Sequence, residues 1–115
     1  MKKIVITAIL ASITMFSAPE VSANDISVRV CEYVQANDKK RLRKYLKDQK
    51  LKVKVIFDSV GCSGDNILVF AAKQQALEVG EYLIGKTPKK SVTASLDAIT
   101  AASAHLGEAA KKRVN

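Results

Sequence analysis

The sequence predicts a mainly α-helical fold, with two helix-turn-helix units joined by a short extended arm and followed by a C-terminal helix. Three observations favour it. Apolar residues recur at helical spacing in several segments, short turn-forming breaks separate those segments, and only residues 51–57 alternate apolar and polar side chains. The chain has 115 residues, enough for one small domain, and its hydrophobic content of 48% excludes a fully disordered basic tail.

Residues 1–23 are predicted to be a signal peptide. Two lysines precede an apolar stretch from Ile4 to Phe16, and Val21-Ser22-Ala23 has the small-x-small pattern that a signal peptidase reads. A membrane anchor is the alternative, but thirteen residues make only about 20 Å of helix, against a bilayer core of about 30 Å. We therefore expect cleavage after Ala23 and a periplasmic or secreted mature chain.

Two helices are expected before the alternating segment. Asp25 is suited to cap the first helix, and Asn37-Asp38 interrupts it and can cap the second. The second helix carries Leu42, Tyr45 and Leu46 at i, i+3 and i+4, which predicts one apolar stripe on a helix that is otherwise basic.

The segment from Leu51 to Phe57 changes period. Its apolar residues alternate with Lys52 and Lys54, and β-branched residues are frequent in it, so we predict a short strand or extended arm. The glycine- and serine-containing residues 58–64 end it.

Two further helices follow. Asp65 or Asn66 can cap a helix from Ile67 to about Gln74, which is apolar nearly all round and is therefore expected to be buried. The next helix runs from about Leu77 to Ile84, with Gly85 as its expected C-cap glycine and Pro88 preventing continuation.

The C-terminal segment is rich in alanine, serine and threonine and predicts one helix with a narrow stripe. The stripe consists of Val92, Leu96, Ile99, Ser103, Leu106 and Ala110. Docking on the core, pairing with another copy and fraying all remain open for it. We accordingly divide the chain into the signal peptide, a disulfide-tied helical domain over 24–88 and a C-terminal helical tail over 89–115 whose order is left open.

Two cysteines, Cys31 and Cys62, remain after cleavage. In an oxidising compartment they permit one intramolecular disulfide, which would close a loop of about 32 residues and stabilise the fold by about 3–4 kcal/mol. A redox pair is the alternative, but catalytic pairs usually have two intervening residues rather than 30.

An internal repeat relates residues 37–46 to residues 75–84 at an offset of 38. Residues 64–84 resemble an ankyrin repeat in their helical layout, which implies stacked helix pairs. The likeness departs from the ankyrin pattern where Asn66-Ile67-Leu68-Val69 replaces T-P-L-H and where Gln75 replaces the turn glycine.

Residues 25–86 also resemble a family of small exported proteobacterial proteins described as domain of unknown function 3718. The shared features are Val30-Cys31, Asn37-Asp38 with Leu42, and Cys62 followed by Gly64-x-Asn66-Ile67-Leu68. This resemblance implies no function and leaves the C-terminal segment uncovered.

Residues suited to catalysis or metal binding are sparse. His105 is the single histidine and is expected at the surface, and the carboxylates are scattered singly. A zinc site needs three or four ligands, and disulfide-bonded cysteines cannot supply them. We therefore expect no enzyme activity, no cofactor and no metal.

A run of cations is the feature that most exceeds chance. Nine cations in sixteen residues face one carboxylate, Asp48: they are Lys39, Lys40, Arg41, Arg43, Lys44, Lys47, Lys50, Lys52 and Lys54. A solvated helix face is the simple explanation, but the scarcity of opposing charge favours an anionic partner. A lipid head group, lipopolysaccharide, an acidic polysaccharide or an acidic protein is expected rather than nucleic acid.

Two functions follow from this pattern. The first is a non-enzymatic interaction module of the cell envelope whose basic face meets the anionic partner. The alternative is a structural or oligomeric envelope protein without a ligand, which self-associates through Leu96, Ile99 and Leu106 of the C-terminal helix and uses its basic face for solubility.

Overall fold

A computed structural model describes residues 23–115, which are all-helical, so the predicted mainly α-helical class is confirmed. The helices are α1 (Ala23–Gln35), α2 (Lys39–Asp48), α3 (Val53–Ser59), α4 (Ile67–Lys73), α5 (Leu77–Lys86), α6 (Lys89–Ala102) and α7 (Ala104–Val114). None of them is long and apolar enough to cross a bilayer. Apart from Ala23, the predicted signal peptide lies outside the described residues.

Six of these helices form three consecutive pairs that stack in chain order. The pairs are α1 with α2, α4 with α5 and α6 with α7. Helix α4 lies between α1 and α6, while α5 lies between α2 and α7. The remaining helix, α3, connects the first pair to the second and packs on α4 and α5.

The centre of the stack is α4, which is buried from Ile67 to Ala72, as its apolar sequence predicts. Asn66 caps it by accepting a hydrogen bond from the Val69 amide at 2.9 Å. The side-chain amide nitrogen of the same residue contacts the third helix pair, because it donates a hydrogen bond to the Ser95 hydroxyl at 3.1 Å. One side chain thus both starts α4 and fixes α6 beside it.

Three helix ends share one local conformation. The residues after the C-caps of α1, α2 and α4 are Asn37, Lys50 and Gln75, with φ of 55–56°. In each turn the next amide bonds back five residues, as from Leu51 to Leu46 at 2.8 Å, which is the Schellman arrangement that usually places glycine there. The offset of 38 between Asn37 and Gln75 therefore relates two turns of the same geometry.

The predicted extended arm is wrong, because residues 53–59 form α3. The helix buries Val53 and Ile56, three residues apart, and leaves Val55 48% exposed. Alternation over a few residues fits a short helix as well as a strand, and within the described chain no strand lies beside this segment to complete a sheet. The burial of Val53 and Ile56 decides in favour of the helix.

The predicted single C-terminal helix is two helices that meet at Ser103. The Ser103 hydroxyl accepts from the Leu106 amide at 3.2 Å and so caps α7. The stripe is otherwise correctly predicted: Val92, Ile99, Leu106 and Ala110 are fully buried. In the structure the tail docks on the core through these side chains.

Two predicted helix ends also differ from the structure. Gly85 lies inside α5, which continues to Lys86 before Pro88 stops it. Asp25 lies in the first turn of α1, which already begins at Ala23, so its carboxylate is placed where it favours the helix dipole rather than at the cap.

The predicted disulfide is present between Cys31 and Cys62, with Cα atoms 5.8 Å apart. It ties α1 to the loop that leads into α4. That loop is also held by two backbone hydrogen bonds between Cys62 and Asp65, and Lys73 pairs with the Asp65 carboxylate at 3.0 Å.

Candidate anion-binding site

The basic groove lies between α2 and α5. Helix α2 contributes Lys40, Arg43, Lys44 and Lys47, and the last turn of α5 contributes Lys86. The α2 residues fall at i, i+3, i+4 and i+7, a spacing that places them on one helix face. Leu46, Leu51 and Tyr82 complete the lining of this groove, which has a volume of about 500 Å³.

The apolar floor follows from the way α2 ends. The Schellman turn at Lys50 brings Leu51 back to Leu46, through the hydrogen bond between their backbones, and such turns commonly join these two positions by an apolar contact. Leu42 and Leu46 anchor α2 to the core, with exposures of 0% and 3%. Burial of this stripe holds the neighbouring basic face of α2 toward the groove.

An aromatic ring from α5 contacts the arginine of the groove. The Arg43 guanidinium carbon lies 5.8 Å from the centre of the Tyr82 ring, within the range of a cation–π interaction. Tyr82 is half-buried and therefore fixed, whereas Arg43 is exposed. The ring restricts where this cation can lie.

Carboxylates compensate few of these cations. Lys44 pairs with Asp48 at 3.0 Å. Outside the groove, Arg41 pairs with the capping residue Asp38 at 3.4 Å. Within residues 23–115, the other four groove cations form no ion pair with a carboxylate: these are Lys40, Arg43, Lys47 and Lys86.

The structure brings together only part of the predicted basic run. Four of its nine cations line the groove, and five lie outside it: Lys39, Arg41, Lys50, Lys52 and Lys54. Lys86 joins the groove as well, and the spacing of the run does not predict it because Lys86 lies 32 positions after Lys54. Its position four residues after Tyr82 places both on one face of α5, but only the packing of α5 on α2 directs that face to the run.

Tyr33 and Tyr45 pack with ring centres 5.7 Å apart and lie beside Arg41 and Lys44. Burial raises the pKa of Tyr45, and a tyrosine hydroxyl is neutral near pH 7 even at its ordinary pKa of about 10. The pair joins α1 to α2 without adding negative charge beside the cations.

A second groove lies between α5 and α7, where His105 contacts the Glu81 carboxylate. Both side chains are half exposed. Within the described part of the chain, no group of three or more histidine, cysteine, aspartate or glutamate side chains is placed to hold a metal ion. His105 is therefore an inter-helix contact in this structure.

Together these features define, over residues 23–115, an all-helical stack of helix pairs that a disulfide ties together and that carries a basic groove. The chain belongs to the family described as protein of unknown function (DUF3718), whose model matches residues 30–94. The match begins within α1 and ends within α6, so the predicted family resemblance is confirmed. No curated protein and no solved structure matches the chain.

Proposed function

We propose that this protein is a non-enzymatic interaction module of the cell envelope that binds an anionic partner in the groove between α2 and α5. The observation that carries the proposal is the convergence of Lys40, Arg43, Lys47 and Lys86, all without a carboxylate partner in the described chain, around an apolar floor. Export belongs to the proposal and is supported by the N-terminal pattern and by the disulfide, since disulfides persist in oxidising compartments.

Electrostatics supports an anion at this place. Lys40, Arg43, Lys47 and Lys86 line one groove without a carboxylate partner among the described residues, so their positive potentials add there and an anion reduces the repulsion among them. Outside residues 39–54 the mature chain is close to neutral, so the attraction is directed to this basic segment, which supplies four of the five groove cations.

Vesicle binding tests the proposal. Mature protein should bind phosphatidylglycerol-containing phosphatidylcholine vesicles at low salt, and binding should weaken steeply as salt rises. The triple variant Lys40→Glu, Arg43→Glu and Lys47→Glu should lose binding, because all three side chains line the groove.

The matched control reverses three cations of the same run that lie outside the groove, Lys50→Glu, Lys52→Glu and Lys54→Glu. Its change in net charge is identical, so it should retain most of the binding. Equal loss in both variants would mean that only overall charge matters. Absence of binding by the native protein at low salt, to these vesicles and to glucose 6-phosphate alike, would contradict the proposal.

Export is tested separately. N-terminal sequencing of protein recovered from the periplasm should begin at Asn24. Protein that retains Met1 and stays with the cytoplasmic fraction would contradict this part of the proposal.

The alternative without a ligand would use the basic face only for solubility and self-associate through the C-terminal helices. Ile99 and Leu106 are buried within the chain, so pairing through them would require α6 and α7 to leave the core. The observed burial therefore favours the interaction module.

A further inference from the structure

We infer that the groove between α2 and α5 takes a phosphomonoester, with the phosphoryl group among the cations and the organic part against Leu51 and Tyr82. This rests on the proposed function and narrows its anionic partner to one chemical class. A phosphomonoester carries nearly two negative charges near neutral pH, whereas carboxylates, sulfate esters and phosphodiesters carry one.

The number of uncompensated cations favours a doubly charged group. Asp48 neutralises Lys44 at 3.0 Å, while Lys40, Arg43, Lys47 and Lys86 have no carboxylate partner among the described residues. A single negative charge balances one of these four cations, whereas a dianion balances two.

The kinds of cation fit a phosphoryl group as well. Lysine ammonium groups act as point charges on flexible stems and adapt to phosphate oxygens, while an arginine fork can hold two of those oxygens. Tyr82 lies under the Arg43 guanidinium at 5.8 Å and so positions the fork at the groove. Tyr82 is therefore a positioning residue for Arg43.

The lining also indicates that the ligand has an organic part. Leu46, Leu51 and Tyr82 give the groove an apolar floor, and its volume of about 500 Å³ lies in the usual range for sites that bind small molecules. A bare inorganic anion would leave this floor uncovered. A phosphorylated sugar or a phosphorylated lipid head group would cover it.

A phosphomonoester changes from a dianion to a monoanion as the pH falls, so the pH dependence of binding distinguishes it from other anions. The second ionisation of a phosphomonoester has a pKa of about 6, so its dianionic fraction falls about tenfold between pH 7.5 and 5.0. Histidine is the side chain that ordinarily changes charge in this interval, and the single histidine lies in the other groove beside Glu81. The groups that face or flank the basic groove are Lys40, Arg43, Lys44, Lys47, Asp48, Tyr82 and Lys86, together with Glu78, one turn before Tyr82.

Calorimetric titration of the mature, oxidised protein with glucose 6-phosphate tests the inference. Affinity should fall severalfold from pH 7.5 to pH 5.0, with about tenfold as the limit if the monoanion does not bind. Glucose 6-sulfate, which is a monoanion at both pH values, should bind more weakly at pH 7.5 and show no such fall. Equal affinity for the phosphate and the sulfate at pH 7.5 would overturn the inference.

Single substitutions distinguish the contribution of groove residues to binding from the effect of net charge. Lys86→Gln should weaken glucose 6-phosphate binding severalfold, whereas Lys54→Gln, which removes the same charge outside the groove, should not. Tyr82→Leu should also weaken binding severalfold, and Tyr82→Phe should restore it because the ring that positions Arg43 is kept. A Tyr82→Phe variant as weak as Tyr82→Leu would contradict the positioning role.

Vesicles distinguish the source of the phosphomonoester. Phosphatidic acid presents it on a lipid, whereas phosphatidylglycerol presents a phosphodiester. Preference for phosphatidic acid vesicles, with weak binding of glucose 6-phosphate, would support a lipid source, and strong binding of glucose 6-phosphate would support a free one. Equal binding of both vesicle types, with no binding of glucose 6-phosphate, would overturn the inference while leaving the proposed function intact. Absence of all binding at low salt would contradict the inference and the proposed function together.

Discussion

Gly85 and Gly107 both lie inside helices but have opposite surroundings. A Cβ atom on Gly107 would lie 2.6 Å from the Thr100 hydroxyl oxygen and 2.9 Å from the Thr100 Cα, which belongs to the backbone of α6. A Cβ on Gly85 would meet no atom within 4 Å. Gly107 therefore permits the close approach of α6 and α7, whereas Gly85 has no such role.

These surroundings predict that alanine substitutions at the two glycines change the free energy of unfolding in opposite directions. Gly107→Ala should destabilise the protein by about 1–3 kcal/mol, because the backbone of α6 must move. Gly85→Ala should stabilise it by about 0.5–1 kcal/mol, because alanine loses less conformational freedom in a helix. Urea unfolding of both variants measures the effect, and stabilisation by Gly107→Ala would contradict the packing of α6 on α7.

Lys50 occupies a left-handed backbone position at the end of α2, with φ of 56°. Such a conformation costs a residue with a Cβ about 1–2 kcal/mol, and glycine is the usual occupant. Lys50→Gly should therefore raise the free energy of unfolding by about 0.5–1 kcal/mol. Lys50→Ala removes the same charge but keeps the Cβ, so thermal unfolding should show no increase in stability for this variant. An equal increase in stability for both variants would mean that the lost charge, and not the backbone conformation, is the cause.

At the scale of elements, the disulfide fixes α1 to the loop before α4. Closing about 32 residues restricts the unfolded chain and should contribute about 3–4 kcal/mol. Reduction, or the double variant Cys31→Ala and Cys62→Ala, should lower the free energy of unfolding by that amount. Denaturant midpoints measured with and without reductant test this, and the cysteine-free variant, which reductant should not affect, is the control.

Helix positions follow from local spacing wherever a strong apolar stripe exists. Leu42 and Leu46 on α2 and the continuous apolar run of α4 were correctly predicted for this reason. The ends of α2 and α4 are harder to predict from the sequence, because Lys50 and Gln75 occupy left-handed positions where a glycine would ordinarily indicate the end of a helix. For α3 the local pattern was ambiguous, and only tertiary burial of Val53 and Ile56 resolves it.

For the basic groove too, the residues on one helix are predictable from their spacing, whereas the residues from the second helix depend on tertiary packing. The face of α2 that carries Lys40, Arg43 and Lys47 follows from helical spacing alone. The contribution of Tyr82 and Lys86 depends on α5 packing beside α2, a contact between segments about 40 residues apart. The internal repeat relating residues 37–46 to residues 75–84 implies that the two helices stack, but it does not indicate which faces meet.

At the scale of the whole molecule, the last pair of helices completes the stack. The family match ends at residue 94, within α6, yet α7 packs on both α5 and α6. The packing between α5 and α7 is close, because a Cβ on Gly80 would lie 2.5 Å from a Leu106 methyl group. The residues beyond the family match therefore cover part of the core that the family segment forms.

Leu106 provides the test of this role. It is fully buried, so Leu106→Ala should lower the free energy of unfolding by about 2–5 kcal/mol, while Leu96→Ala, on the same stripe but only half-buried, should cost less. Light scattering should give the same mass for both variants and the native protein, because Leu106 packs within its own chain. A variant that keeps its stability but changes from dimer to monomer would instead show that the stripe joins two copies.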